Sequence, residues 1–325
     1  MSNIHSKNSW PTVRLAIERF NLDPGKFCMS FCFGTDSLEY SINKAGIINK
    51  PFITADGNGK IEIVAGYRRI LALKRLKIVE VSCFDLSDSG KSDFDMLMMN
   101  IHDNLHTRRL NYVEKSMAVN RLKGFSRFKE LDDDIISLFG MNKRELETVL
   151  IIDSLPEFLK YSIARDIICL KSIEKILELN SDMDRMACLE WIDKLKLNYN
   201  QQLQFIEFII DISRLNKAGI HRILLNDDFK KIYDDSKMNN PQKAKALLNL
   251  LREKLFPHLT GYEKIFRQRV KKLQLPGNIK ISHSRYFESE GYRLEVDFKD
   301  GFDLKNNLDG LLKAEGLEKL GDPWR

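Results

Sequence analysis

KIEIVAGYRRILALKR, residues 60–75, decides the fold, because it reads as strand, tight glycine turn and helix in one continuous piece. Ile61 and Ile63 alternate with Glu62 as in a half-buried strand, and after Gly66 the apolar Ile70, Leu73 and Leu76 follow helical spacing. A helix start carries unpaired N–H groups and a partial positive charge. Arg68 and Arg69 in the first turn therefore sit at the electrostatically wrong end unless an anion joins them. A phosphate would supply that anion. A solvated arginine pair on a surface helix is the competing reading.

Outward from this stretch, the apolar run Phe27 to Phe33 predicts a strand, and Thr35-Asp36-Ser37 caps a helix carrying Leu38, Ile42 and Ala45 to a stop at Gly46. A short strand at 51–54, a hairpin-like turn at 56–59 and a strand at 79–84 complete a small α/β module over residues 27–110. Residues 1–26, closed by Asp23-Pro24-Gly25, read as a polar, irregular lead-in apart from an amphipathic piece at 13–20. A polar connection at 85–92 leads to a helical run from Asp93 through Asn104. From 111 to 257 the periodicity is helical almost throughout, with breaks at Gly124, Gly140, Pro156, near Ser181 and at Asn239-Asn240-Pro241. Residues 262–325 change character again. Ile279 and Ile281, then Tyr292, Leu294, Val296 and Phe298, alternate with polar neighbours around a turn at Ser289-Glu290-Gly291. Leu304, Leu308, Leu311 and Leu312 then share one helical face. The expected class is α+β in three parts: a small α/β module, a long helical domain and a terminal ββα unit.

The chain has 325 residues, 43% hydrophobic and 30% charged, which suits two or three globular domains and excludes disorder throughout. A net charge of +6 permits a nucleic-acid or nucleotide partner without demanding one. No apolar run approaches a membrane span, and the opening MSNIHSKNSW has no signal-peptide pattern, so a cytoplasmic location and no membrane partner are expected. Cys28, Cys32, Cys83, Cys169 and Cys188 show no metal-like spacing and read as reduced packing residues.

A second informative stretch is NIHDNLHTRRLN, residues 100–111. Asp103 and Asn104 are the natural oxygen pair for a hard cation such as Mg²⁺ accompanying phosphates. His102 and His106, four apart, can share a helical face, but no third ligand stands at metal-binding spacing. Without further context the stretch also reads as a polar helix end.

The order AGYRRILALKRL, HDNLHTRRLNYVEK and then a helix-turn-helix ending in IIDSLPEFL resembles the ParB plasmid and chromosome partition proteins. The resemblance spans about 35–175, with a weaker echo in the final ββα unit, which is like that family's dimerisation domain. It implies a ParB/sulfiredoxin-like N-terminal module that binds CTP and Mg²⁺ through an upstream glycine-to-proline segment, a G-E-R-R motif and an E-N-L-x-R motif. GIINKP, Gly46 to Pro51, matches the first; Gly66, Arg68, Arg69 and Ala72 match the second; Asn104, Leu105, Leu110 and Asn111 match the third. By resemblance the nucleotide site comprises Gly46, Pro51, Gly66, Tyr67, Arg68, Arg69, Asn104 and Arg108, with Asp103 and Asn104 toward the metal.

Two departures bear on turnover. Tyr67 stands where the family has a glutamate tied to hydrolysis, and a phenol of pKa near 10 is no general base at neutral pH. Thr107 replaces the arginine of E-N-L-x-R, with Arg108 and Arg109 just beyond it. A CTP-binding protein with weak or absent hydrolysis is expected.

Residues 132–154, DDDIISLFGMNKRELETVLIIDS, have the outline of a helix-turn-helix turning at Gly140. Asn142, Lys143, Arg144 and Thr148 are expected to face outward from its second helix, where Asn and Arg suit adenine and guanine edges. Glu145, Glu147 and Asp132 to Asp134 argue for an ordinary helical hairpin instead. Two further basic clusters, Arg121 to Lys129 around Phe125 and Phe128, and Lys264 to Lys272, suit phosphate contact or a solvated face. The expected function is a partition-type DNA-binding protein, homodimeric through the ββα unit, whose clamping is controlled by a cytidine nucleotide, with a partition ATPase as a further partner. A transcription regulator or structural DNA-binding protein with a decayed pocket, and a phosphoryl-transfer enzyme or nuclease on the same module, are the alternatives.

Overall fold

The computed structural model describes residues 10–55, 60–125, 132–284, 291–314 and 316–320. The expected turn at 56–59, most of the hairpin turn before Gly291, and Arg127, Phe128 and Lys129 lie outside these residues. The architecture is mixed α+β, mostly helical with a small sheet, and the chain divides into two units, Met1–Asp193 and Lys194–Arg325. Among the described residues no helix is long and apolar enough to cross a membrane.

The first unit opens on β1 (Thr12–Ala16), α1 (Asp36–Ala45), β2 (Phe52–Ala55), β3 (Ile61–Ala65), α2 (Tyr67–Arg75) and β4 (Glu80–Asp85). The strand order is β1-β4-β2-β3, with β1 and β3 antiparallel to their neighbours and β2 parallel to β4. Ile53, Ile61, Val81 and Cys83 from the sheet pack with Ile70 and Leu73 from α2. Burial of such side chains, about 1.5–3 kcal/mol each, holds α2 against the strands.

Two expectations fail here. The lead-in is part of the sheet: Val13 pairs with Cys83 and Leu15 with Val81, and Ile17 and Phe20 enter the core. Conversely, Phe27 to Phe33 forms no strand. Cys32 has a left-handed φ of +50°, which no strand tolerates. The segment's backbone groups bond to side chains instead: Asn100 Nδ2 donates to the Phe27 carbonyl at 2.6 Å, Phe31 N donates to Glu114 Oε1 at 3.2 Å, and Asn111 Nδ2 donates to the Phe31 carbonyl at 3.2 Å. Buried backbone groups need partners, and polar side chains meet that need without a neighbouring strand.

Seven helices follow: α3 (Asp93–Thr107), α4 (Tyr112–Lys123), α5 (Asp132–Phe139), α6 (Lys143–Ile152), α7 (Glu157–Ala164), α8 (Leu170–Leu177) and α9 (Asp182–Leu195). Capping boxes start α3 at Ser92, α4 at Asn111 and α6 at Asn142. The second unit carries α10 (Tyr199–Asn216), α11 (Ile220–Leu224), α12 (Asp227–Asp234), α13 (Asn240–Leu255) and α14 (Pro257–Lys272), then β5 (Ile279–His283), β6 (Tyr292–Val296) and α15 (Gly301–Leu312). β5 and β6 pair antiparallel with Ile281 opposite Leu294. Phe266 of α14 and Leu273 just after it form a small core with Ile281 and Leu320. Leu294, Phe298, Phe302, Leu308 and Leu312 stay exposed, so the leucine face of α15 is only partly covered.

Candidate functional site

α2 begins directly where β3 ends, and Gly66 makes that turn. Its φ of +96° is left-handed, and a Cβ there would stand 3.1 Å from both Cα and Cβ of Pro51, so conformation and close packing both demand glycine. The first turn of α2 has no acidic residue and no side-chain cap, which leaves its leading N–H groups to whatever fills the space in front.

That space is a cavity of about 490 Å³, within the range of small-molecule sites, about 300–1,000 Å³. It brings together the three stretches singled out in the sequence. Residues 46–49 form one wall, Gly66 to Arg69 a second, and Asn100, Asp103, Asn104, Thr107 and Arg108 a third. Of the expected nucleotide-site residues, Pro51 alone is not in the lining: it packs behind Gly66. The sequence reading missed Ser30 as well as Ser37 and Ser41 of α1, which add hydroxyls to the lining. Their stretches carry no phosphate-binding pattern to mark them. Cys28 also lines the cavity, and burial holds its thiol above the ordinary value, so it brings no competing negative charge.

Three arginines meet in this cavity, and each is held differently. Arg69 Nη1 donates to the carbonyls of Asn49 at 2.8 Å and Lys50 at 3.2 Å, and its Nη2 donates to Asp103 Oδ2 at 2.6 Å. Arg108 Nε donates to Asn104 Oδ1 at 2.9 Å and its Nη1 to Glu114 Oε2 at 2.6 Å, while its buried Nη2 has no partner among the described residues. Arg68 Nη2 donates to the Gly34 carbonyl at 2.9 Å, its guanidinium lies 4.9 Å from the centre of the Phe33 ring, and its buried Nε is likewise unpartnered. Burial, and then the charge of Arg108, pull the Arg68 pKa down, although an arginine stays protonated at neutral pH. A buried N–H left unmade costs about 1–3 kcal/mol. Two such donors on neighbouring cations suit an anion, which would satisfy both and relieve their repulsion.

Glu114, which the sequence reading passed over, anchors this arrangement. It is buried, and besides Arg108 it accepts from the backbone N–H groups of Phe31 and Asn111. Its signal was the N-x-x-E spacing of a capping box, Asn111 to Glu114. One carboxylate thus caps α4, ties down the 27–33 segment and orients Arg108.

The expected cation pair is partly engaged by arginine. Asp103 Oδ2 holds Arg69, Asn104 Oδ1 holds Arg108, and the Asn104 amide donates to the backbone and side-chain oxygens of Asn100. Asp103 Oδ1 has no partner among the described residues, so that one carboxylate oxygen on the cavity lining would be left to meet a cation beside bound phosphates. His102 and His106 are exposed on α3, and among the described residues no three acidic, histidine or cysteine side chains cluster for a metal. Tyr67 turns its hydroxyl away from chemistry, donating to the Leu22 carbonyl at 2.6 Å, and burial raises its phenol pKa.

The helix-turn-helix outline takes shape as α5 and α6, joined through Gly140 at a φ of +59°. Asn142, Lys143 and Arg144 are exposed at the start of α6. Asn142 also caps that helix, its Oδ1 accepting from Glu145 N at 2.9 Å, and Arg144 Nη2 donates to Glu174 Oε2 on α8 at 2.7 Å. Thr148 is a correction. It is buried at 5% exposure, its hydroxyl donating to Glu174 Oε1 at 3.0 Å, because α8 covers that face of α6. Of the first basic cluster, Arg121 is used internally, Nε donating to the Lys26 carbonyl at 2.8 Å.

No family model matches this chain, and no curated protein does. Solved structures do. The C-terminally truncated chromosome-partitioning protein ParB from Caulobacter crescentus, complexed to the centromeric parS site, is 18% identical over 58% of this chain and 96% of its own, with a TM-score of 0.35. The same protein complexed with CTP-gamma-S gives 19% over 56% and 98%, with a TM-score of 0.27. A Pnob8-like ParB-N domain gives 15% over 76% and 98%, with a TM-score of 0.37. With identity this low and superposition this loose, what the site does rests on its own geometry.

Proposed function

We propose that this chain is a DNA-binding protein of the partition type whose N-terminal cavity binds a nucleoside triphosphate, cytidine being the base the motif resemblance implies. The observation that carries the reading is the meeting of residues 46–49, 66–69 and 103–108 in one cavity where Arg68 and Arg108 keep buried N–H groups unpartnered. The α2 N-terminus adds its dipole to the same space. Hydrolysis is not part of the proposal. Asp103 is the one acid among the described residues lining the cavity, and it is paired with Arg69.

The α5–α6 pair is the DNA-reading element in this reading, with Lys143 and Arg144 exposed at the start of its second helix. A second copy covering the exposed apolar side chains of the ββα unit would give a homodimer and set two such elements on a palindromic site. A partition ATPase would engage that dimer. A second reading, a DNA-binding regulator whose pocket takes no nucleotide, is favoured by the internal pairing of Arg69 with Asp103 and of Arg108 with Glu114. Calorimetric titration of CTP into the wild type and Arg68→Ala separates the two. The expected result is wild-type binding weakened about ten- to a hundredfold in the variant, the worth of one charge-assisted hydrogen-bond set. No wild-type heat at millimolar CTP, with or without DNA, makes the regulator the better reading.

A further inference from the structure

We propose that a groove between α10 and α13 in the second unit is a docking site for an acidic amphipathic helix of a partner protein. α10 and α13 pack against each other and bury Phe205, Ile206, Leu247 and Leu251 completely. The next stripe round each helix stays open. Gln204 and Phe208 on α10, and Lys245, Leu248, Arg252 and Leu255 on α13, recur at helical spacing and line a groove of about 1270 Å³. That is larger than the roughly 300–1,000 Å³ of small-molecule sites. Phe256, at the break between α13 and α14, joins the lining with 42% of its surface exposed and its ring edge-on to Phe208 at 6.3 Å. An aromatic pair beside leucines, open to solvent, is the composition of an interface anchor.

Two features of the groove select its occupant. Its walls are helical except at Phe256, so no strand edge offers backbone partners to an extended peptide. A segment entering it must satisfy its own N–H and C=O groups, as a helix does. The second feature is charge. The lining holds Lys245, Arg252 and His258 and no aspartate or glutamate. Lys245 is exposed and has no ion-pair partner among the described residues. Arg252 Nη2 donates to Glu263 Oε1 at 2.6 Å, but the other oxygen of Glu263 accepts from Arg267 at 3.1 Å, so one carboxylate answers two guanidiniums. The groove is therefore apolar within and net positive at its rim. A helix with leucine or phenylalanine on one face and glutamates flanking that face complements both properties.

The test is fluorescence anisotropy of a labelled synthetic peptide titrated with the full chain. The peptide has 16 residues, the length of α13, with leucine and phenylalanine at helical spacing and glutamate between them. Its controls are a scrambled peptide of the same composition and a version with lysine for glutamate. The acidic amphipathic peptide should bind with a dissociation constant of about 50 µM or tighter, and both controls about tenfold more weakly or worse. Lys245→Glu, an exposed substitution that leaves the core intact, should weaken the acidic peptide by about tenfold and strengthen the lysine version. Phe256→Ala should weaken the acidic peptide by a similar factor. Equal binding of the acidic and scrambled peptides, an affinity unmoved by Lys245→Glu, or no binding of the acidic peptide at about 500 µM overturns the proposal. Sedimentation of the chain without peptide tests the other occupant: self-association abolished by Lys245→Glu assigns the groove to a second copy and overturns the proposal as well.

Discussion

The cavity and the α5–α6 pair both present arginines, under opposite conditions. The Arg108 side chain is 17% exposed and lies against Glu114, whose own side chain is 2% exposed; the Arg144 side chain is 71% exposed and pairs with Glu174 at the rim of α6. Both ion pairs are short, yet they mean different things. A buried pair is locked, because neither charge can return to water once the other is lost. An exposed pair is worth little and exchanges its carboxylate for another anion at small cost. In the proposed reading the first region holds a fixed geometry for an incoming ligand. In that reading the second gives up its internal partner to a phosphate backbone or base edge.

The hardest blow to this contrast falls on Glu114. Glu114→Ala leaves Arg108 buried and uncompensated and opens two backbone N–H groups, and should cost about 3–5 kcal/mol in urea unfolding. A loss under about 1 kcal/mol would mean that the Arg108 pair behaves like a surface pair, and the contrast would collapse. Arg144→Ala probes the other side. It should change folding stability by no more than about 0.5 kcal/mol yet weaken a cognate duplex by about 1–3 kcal/mol. Equal weakening on cognate and random duplex would reduce Arg144 to a phosphate contact. The smallest effect is in the pH dependence. The hydrogen bond from Arg144 holds the Glu174 carboxyl below its ordinary value, burial opposing and Thr148 assisting. A carboxylate with a lowered folded pKa gives its full stabilisation above the unfolded value and loses it as pH falls through the folded one. Unfolding curves taken from neutral into the acid range should therefore fall more steeply for the wild type than for Glu174→Gln, by under about 1 kcal/mol in all. Identical acid limbs would show that Glu174 contributes nothing to α6.

The sequence made the three cavity stretches legible because each carries local punctuation: a stop at Gly46, a turn at Gly66, and a polar run on a helix from Asp103 to Arg108. Pattern reading handles such features well, since their causes lie within a few residues. It failed where the cause lay far away in the chain. Phe27 to Phe33 has the composition of a strand, but Asn100, Asn111 and Glu114 take its backbone groups from 73, 80 and 83 positions downstream. Thr148 has the spacing of an outward residue, and only the placing of Glu174 on α8 turns it inward. Tyr67 stands in the right motif, but nothing in that motif tells that its hydroxyl is spent on Leu22. Asp103 and Asn104 were legible as a polar pair and not as partners of Arg69 and Arg108, because the pattern gives residue type and helical face while the partner comes from packing.

The pairing of β1 with β4 has a consequence in time as well as in space. Thr12 pairs with Phe84 and Ala16 with Glu80, so β1 waits during synthesis for a partner made about 65–70 residues later, roughly 3–14 s at ordinary synthesis rates. Through that interval Ile17 and Phe20 have no finished core to enter. Contacts this distant in sequence close slowly and late. The nascent chain thus spends seconds with β1 unpaired, and β4 is the segment whose emergence ends that wait.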